Sequence, residues 1–592
     1  MFVFLFFFLL FTVPVSPSSS PDRYTKSVLQ PLQVKHREYL ELAHPLPSDY
    51  LVPSCTHRIL RHSFANTINS PPFSTRYYPP LDCPSPWSHV ALDFRAECRG
   101  EQYDRIAGLW LGGAELLRTS TAEPTKCGIF WKVRKDITRY SSLLSRYDLN
   151  LTMMLENIVN NIYTGVYHIT VSFLYYKDNA VRVPSQISDP NFGFLGDKQR
   201  GGGVRMWQGL GGLYEPPADF IIPISDRGDK GFWFRIESEL DSRSKGIRIP
   251  RNTYRAVLEL YVSFHGNDEF WYSNPPNSYI KTNNLTTERG NGAYREVYVT
   301  IDGKFVGSEA PFPVVFTGGV NPLFWEPVVG IGAFNLPSYD FDLTPFLGVL
   351  LDGKIHRFGF GVTEGIAYWL VNANLHLWVD HKSPKVHARS VVYNSPRLKI
   401  KRRSDFKLLD GSFKVEAERK ALFVGWVKSS FGNLTTVFSQ DYRLKNVVSF
   451  ENNGAYKLVK QKVKAKREVI VANDRDQSVA RVSVRRKYPL NLITSTQPGR
   501  KKKKKNTYLL VTNVSHALSE RYSQGDSASV VYNMQDSRGW MEVEDHSVLS
   551  GAAMTRQSFS YRNAFGCYSR TVQASNGRLI RDNTTSGCLS SF

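Results

Sequence analysis

An all-β fold is expected for this chain on three grounds. Segments rich in β-branched and aromatic residues recur between Gly, Pro, Asn and Asp turns: VYHITVSFLYY (166–176), TYRAVLELYVSF (253–264), REVYVTIDGKFVG (295–307), HRFGFGV (356–362) and NLHLWV (374–379). The 32 prolines and 42 glycines among 592 residues punctuate the chain too often for long helices. A chain of this length has ample core, so the strands are expected to pack as antiparallel sandwiches. KDITRYSSLLS (135–145), with Asp136 near its start, is the one stretch that reads as helical.

The chain opens MFVFLFFFLLFTVPV and passes into SPSSS, an apolar run of secretory length, so residues 1–20 are expected to be a cleaved signal peptide. No later stretch approaches about 18 uninterrupted apolar residues, and NTTSGCLSSF is no apolar anchor tail, so a soluble mature chain without a membrane span is expected. Five Asn-x-Ser/Thr sequons, at Asn150, Asn284, Asn433, Asn513 and Asn583, are candidate glycosylation sites. The expected location is the secretory pathway, ending outside the cell, in the cell wall or in a vacuolar lumen. Six cysteines allow up to three disulfides: Cys567 and Cys588 close a short loop and are paired first, while the connectivity of Cys55, Cys83, Cys98 and Cys127 stays open. No CxxC occurs, and HLWVDH (376–381) places His376, Trp378 and Asp380 on one strand face but His381 on the other, so no metal site is expected.

The formal charge of +22 is unevenly spread. Residues 1–396 hold 39 Lys and Arg against 37 Asp and Glu, whereas residues 397–592 hold 36 against 16. That break argues for a basic C-terminal β-rich domain at 406–592 behind a basic linker at 391–405, with ALFVGWV (421–427) and TYLLVTNV (507–514) among its strands. PGRKKKKKN (498–506) reads as a solvated loop, and 399–403 as a second exposed basic loop; either would suit cleavage of a precursor into two chains. Nucleic acid is not expected as a partner, since no aromatic-spaced RNA-binding signature accompanies the charge. GGGVRMWQGLGG (201–212) lacks the Lys-Ser/Thr of a phosphate loop and reads as a turn-rich surface loop.

Residues 100–144 concentrate the chemistry. In YDRIAGLWL (103–111) both strand parities are apolar past the mouth, so the strand lies inside a sandwich with Asp104 and Arg105 at its entrance. Gly112-Gly113 makes a tight turn and AELLRTSTAEP returns, bringing in Glu115, Arg118 and Glu123. A carboxylate at a strand end can serve as a general base; it can equally pair with an arginine or cap a loop.

Longer strings then carry a resemblance. GLWLGGAELLRTSTAEPT, FHGNDEFWYSNPPN (264–277), residues 290–348 from GNGAYREVYV to FDLTPFLG, and GVTEGIAYWLVNANLHLWVD (361–380) resemble the signature blocks of the plant peptide-N-glycosidase A family over most of residues 40–592. The resemblance implies hydrolysis of the amide between an N-glycan's first N-acetylglucosamine and asparagine, with N-glycopeptides and N-glycoproteins as partners and no cofactor. It also implies a glycosylated secretory protein, in some members processed to two chains. QYDRIAGLWL further resembles the strand of the bacterial peptide-N-glycosidase F family that holds its catalytic aspartate in a Trp-Asp-Arg string, which puts Asp104 on that aspartate, Arg105 on the arginine and Tyr103 in place of the tryptophan. Arg118 resembles an arginine of the return strand. That likeness implies two adjacent jelly rolls, set here at 45–245 and 246–390, with the site between them. A second bacterial glutamate has no counterpart, since TTERGNGAYRE offers only Glu288 and Glu296 nearby, and a third falls on YHITVSFLY, which has no acid.

Amide hydrolysis needs an activated water, donors for the oxyanion and a proton for the leaving nitrogen. Asp104 is the expected base and Arg105 or Arg118 the oxyanion donor; the acid is sought among Glu115, Glu123, Asp268, Glu269 and Glu326. Trp110, Trp271 and Trp325 are candidate sugar platforms, with core packing as the alternative. Glu288, Arg295 and Glu296 complete the candidate substrate-binding set. A glycosidase would also use two carboxylates, and a lectin-like module would keep the aromatics without turnover.

Overall fold

The computed structural model describes residues 24–26, 36–177, 216–475, 477–499, 507–525, 527–564 and 566–586. The expected signal segment, the 201–212 loop, the lysine run and Cys588 lie outside them. The first sandwich is built from β1 (Arg37–Tyr39), β2 (Cys55–Phe64), β3 (Phe73–Tyr77), β4 (His89–Arg99), β5 (Ile106–Leu111), β6 (Ala114–Ser120), β7 (Ile129–Asp136), β8 (Leu149–Leu155) and β9 (Val166–Tyr176). One sheet runs β1-β7-β4-β9-β2 and the other β3-β8-β5-β6. Leaving β1 aside, the eight strands divide between the two sheets in the order that defines a jelly roll.

The second sandwich repeats the pattern with β10 (Phe220–Ile224), β11 (Phe234–Ile236), β12 (Arg243–Ile247), β13 (Thr253–Phe264), β14 (Glu296–Ile301), β15 (Lys304–Glu309), β16 (Ser338–Asp342), β17 (His356–Thr363) and β18 (Trp369–Val379). Its sheets are β10-β18-β13-β16, with β11 also on β18, and β12-β17-β14-β15. Strands at 220–247 therefore pair within the second roll. All of β18 is buried because its polar face, Asn372, Asn374 and His376, meets the first roll rather than water. Asn374 Oδ1 accepts from the Glu115 N–H at 3.0 Å, and its Nδ2 donates to the Glu115 carbonyl at 2.8 Å. The stretch expected to be helical ends β7 and continues as two short helical turns, Thr138–Tyr140 and Ser141–Leu144, with Asp136 Oδ1 accepting from the Thr138 N–H at 2.8 Å.

The basic C-terminal third forms an eleven-stranded antiparallel sheet. It begins with β19 (His387–Asn394) and β20 (Lys399–Lys407), so the stretch read as a linker, including the 399–403 loop, is mostly strand, with β20 largely exposed at an edge. Strands of up to 21 residues follow, with burial alternating along them. The buried face lies against the jelly rolls: Tyr294 and Tyr442 hydroxyls meet at 2.7 Å, Asn446 Nδ2 donates to the Tyr272 carbonyl at 2.9 Å, and Thr555 Oγ1 to that of Phe324 at 2.8 Å. Cys55 and Cys83 form a disulfide, Cys98 and Cys127 are free thiols, and Cys567 is disulfide-bonded.

Candidate functional site

Asp104 and Arg105 stand just before β5, whose register sets Ile106 opposite Ser120. The return strand therefore ends beside them at Thr121–Glu123. The two chains are tied there: Thr121 N–H donates to the Arg105 carbonyl at 2.8 Å, and Arg105 N–H to Thr121 Oγ1 at 2.8 Å. A loop from the second roll closes over them, with Thr317 Oγ1 donating to the Thr121 carbonyl at 2.7 Å. Gly318 follows, and a Cβ there would lie 2.4 Å from Asp104 Oδ1 and 2.8 Å from Glu123 Oε1. The two oxygens are thus within roughly 5 Å of one another, a range at which one carboxylate raises the pKa of the next.

Glu123 Oε2 lies 3.3 Å from the Lys26 ammonium, which also pairs with Glu326. Burial pushes the Glu123 carboxyl up to about 8, with Asp104 and Glu326 adding to the rise and Lys26 opposing it. Burial works against the Lys26 charge, but Glu326 and Glu123 outweigh it and hold its pKa above the ordinary value. Glu101, Gln102, Tyr103, Pro124, Ile162 and Tyr163 line the rest of a narrow cleft partly open to solvent. Arg105 Nη2 donates to Gln102 Oε1 at 2.7 Å, while its buried Nε–H has no hydrogen-bond partner among the described residues. Trp325 stands behind the loop, fully buried, its indole N–H donating to the Gly319 carbonyl at 2.8 Å.

Asp104, Arg105, Glu123 and Glu326 are therefore brought together. The other candidates are not. Glu115 and Arg118 lie farther along the hairpin, opposite Trp110 and Gly108, about 13–20 Å along the strand from Asp104. Both are fully buried, joined by two 2.8 Å hydrogen bonds, and Arg118 crosses to the second roll at Asn372 Oδ1 and the Leu370 carbonyl. Trp110 packs edge-on against Trp233, and Trp271 against Phe264, so both serve the core. Asp268 and Arg295 are a fully buried pair, Glu269 is buried beside them in the chain, and Glu296 is buried in a two-pronged pair with Arg419 of the C-terminal sheet. Glu288 is exposed and accepts from Asn267 Nδ2 at 3.0 Å. His376 is turned to Glu259, His381 to Asp219 and Asp380 to Ser430. The sequence reading missed Lys26 and Gly318. The glycine pair in FTGGVNP could have flagged the second; nothing local flags the first.

Gly318→Ala is expected to fold, because the obstructing atoms are carboxylate ends that can swing aside, yet to lose activity as the two carboxylates are pushed apart. Melting temperature and initial rate measured on one preparation check this.

Fold and cleft together define a tandem jelly-roll protein with a carboxylate pair at the strand ends of its first roll. Residues 43–396 match the family described as peptide N-acetyl-beta-D-glucosaminyl asparaginase amidase A, and residues 412–490 match the C-terminal domain of the same family. The chain belongs to that family. It is 41% identical over 554 residues, 93% of each chain, to the peptide-N4-(N-acetyl-beta-glucosaminyl)asparagine amidase A of Prunus dulcis. Among solved structures, recombinant peptide: N-glycanase F aligns with 55% of this chain and 95% of its own at 13% identity and a TM-score of 0.33. PNGF-II in a C2 crystal aligns with 55% and 65% at 11% identity and a TM-score of 0.35.

Proposed function

We propose that the protein hydrolyses the amide joining the innermost N-acetylglucosamine of an N-glycan to asparagine, leaving aspartate and releasing the glycan as a glycosylamine. The name and near-complete coverage of the almond relative support the bond, and one observation supports the machinery: the Asp104 and Glu123 carboxyls approach each other across Gly318, and Glu123 lines a cleft together with Lys26, Tyr103 and Tyr163. Asp104 takes a proton from water as its oxygen attacks the amide carbonyl. Arg105, whose buried Nε–H has no partner among the described residues, stabilises the oxyanion. Glu123, kept protonated by burial, gives its proton to the departing nitrogen, so the acid and the base divide as paired carboxyls in unlike environments do. Tyr103 and Tyr163, with ring centroids 5.2 Å apart, line the cleft as faces for the sugar.

Incubation with a defined N-glycopeptide followed by mass spectrometry tests the reading. Conversion of asparagine to aspartate supports it; a sugar stub left on asparagine would mean a glycosidase, and retention without release a binding module. Because the acid must be protonated, kcat/KM is expected to fall about tenfold per pH unit above about 8, and Glu123→Gln to lose both that limb and most of the rate.

The same reading places the mature protein in the secretory pathway, outside the cell or in a vacuolar lumen, glycosylated at the sequons, of which Asn150, Asn284 and Asn583 are exposed. Cleavage to two associated chains would fall at an exposed basic stretch, and N-terminal sequencing of the secreted protein tests it. The two rolls are read as one catalytic unit; a fragment ending before residue 246 with full activity would overturn that.

A further inference from the structure

We infer that Lys26 is a positioning residue of this site, delivered to Glu123 and Glu326 by the C-terminal sheet, which thereby completes the catalytic cleft. The inference rests on the amidase reading above and goes beyond it.

Residues 24–26 dock on the C-terminal sheet through one isolated bridge. Thr25 bridges Ser547 in parallel, its N–H donating to the His546 carbonyl at 2.9 Å and its carbonyl accepting from the Val548 N–H at 2.8 Å. Tyr24 is 3% exposed and packs among Leu510, Met541, Val543 and Val548 of that sheet. Lys26, two residues on and so on the same side of the extended segment as Tyr24, reaches the cleft beside it, with only 13% of its side chain exposed. An ammonium so buried is tolerated only with partners; Glu326 supplies the opposite charge and Glu123 an acceptor oxygen.

The way Lys26 divides the Glu123 carboxyl gives it a task. It holds Oε2, while Oε1 faces Gly318 and Asp104, the side from which a proton must leave. The lysine thus fixes the carboxyl rotamer and leaves the reacting oxygen free. A second turn of the same sheet braces the other partner: a Cβ on Gly577 would lie 3.0 Å from Glu326 Oε2 and 2.9 Å from Arg37 Nη1, and the Arg37 guanidinium donates to the Gly577 carbonyl. Around Glu123 the charged and titratable groups are Lys26, Asp104 and Glu326, with Tyr39 and Arg37 behind Glu326 and Glu101 near Lys26. Lys26, Arg37 and Arg105, beside Asp104, are the cations near the site, and Lys26 is the one paired with Glu123 itself.

Full-length Lys26→Met, Lys26→Arg, Tyr24→Ala and Glu123→Gln proteins decide the matter. Lys26→Met is expected to reduce kcat and to move the alkaline limb of the kcat/KM profile upward by about one to three pH units, since an opposite charge at this range shifts a carboxyl by that much. Lys26→Arg should restore the limb toward its original position, and Tyr24→Ala, which loosens the anchor without touching the cleft charges, should move it in the same direction as Lys26→Met. Should turnover in Lys26→Met be too slow for a profile, the Glu123 carboxyl band in difference infrared spectra, assigned by its absence in Glu123→Gln, is titrated instead, and the same upward shift is expected. An unmoved limb or band in Lys26→Met overturns the inference, as does a shift that Lys26→Arg fails to reverse. If Glu123→Gln itself retains rate and limb, the fault lies in the assignment of the acid rather than in Lys26.

Discussion

Asp104→Asn yields a folded protein that releases glycan about 100-fold to 10,000-fold more slowly than the wild type, the range lost with a general base. The substitution keeps the shape of the carboxylate and removes its ability to accept the proton of water. Among the described residues Asp104 makes no hydrogen bond and no ion pair, and the neighbouring Arg105 guanidinium is turned to Gln102 instead. No structural bond is therefore cut, and melting temperature and secreted yield are expected to stay within experimental scatter of the wild type. A purely structural aspartate would give the reverse order, with stability and yield falling before the rate per folded molecule. Parallel measurement of melting and of initial rates on a glycopeptide separates the two outcomes.

Arg295→Met unfolds or severely destabilises the second roll, by about 3–5 kcal/mol, because it strands a buried carboxylate. Asp268 and Arg295 have no exposed surface and meet through bonds of 2.8 and 2.7 Å. Asp268 also accepts from the Ile366 N–H at 2.9 Å and the Trp369 indole N–H at 2.7 Å, while Arg295 satisfies the Gly290, Gly292 and Tyr294 carbonyls. One pair thus pins the loop ahead of β14 to β18 and to the turn before it. A large drop in melting temperature and secreted yield, with near-normal activity in whatever folds, is the expected signature. A raised KM at unchanged stability would instead return Arg295 to the substrate-binding set.

These two cases show which physical signals a sequence exposes. Alternating apolar residues and glycine turns report strands directly, so β9, β13 and the hairpin at Gly112-Gly113 are legible, with both glycines in the left-handed region that such a turn requires. Asp104 was legible because a polar residue at the mouth of a doubly apolar strand is rare enough to stand out, and Glu123 because the turn fixes what returns beside it. Polar residues farther along could not be sorted that way. Glu115, Arg118, Asp268, Arg295 and Glu296 look like site residues in a linear string, yet each is neutralised by a buried partner, Glu115 by Arg118 on its own strand and the others from another loop or sheet, and only the packing of rolls and sheet reveals the burial. Lys26 is the converse, an unremarkable residue made significant by a contact far along the chain. The basic third was legible as a β unit, but its strands at 391–405 were masked by charges that an exposed edge strand tolerates as readily as a loop does.

Thr25 and the Ser547 it meets are separated by 522 positions, which gives the protein a biosynthetic timetable. A free chain closing so long a loop would forfeit on the order of 5 kcal/mol of entropy, so the contact forms once the rolls and the sheet have already brought the two ends together. Domains nearer the N-terminus fold first as a chain emerges. The first roll, with Asp104 and Glu123 in place, is thus assembled while the turns at 545–547 and 576–577 are still to be synthesised, and Lys26 has nothing to hold it. Asn150, Asn284, Asn433 and Asn513 are all synthesised before the 545–547 turn. With Lys26 completing the cleft, the site is therefore finished only after the last strands of the sheet have left the ribosome, and activity is set by the order of synthesis.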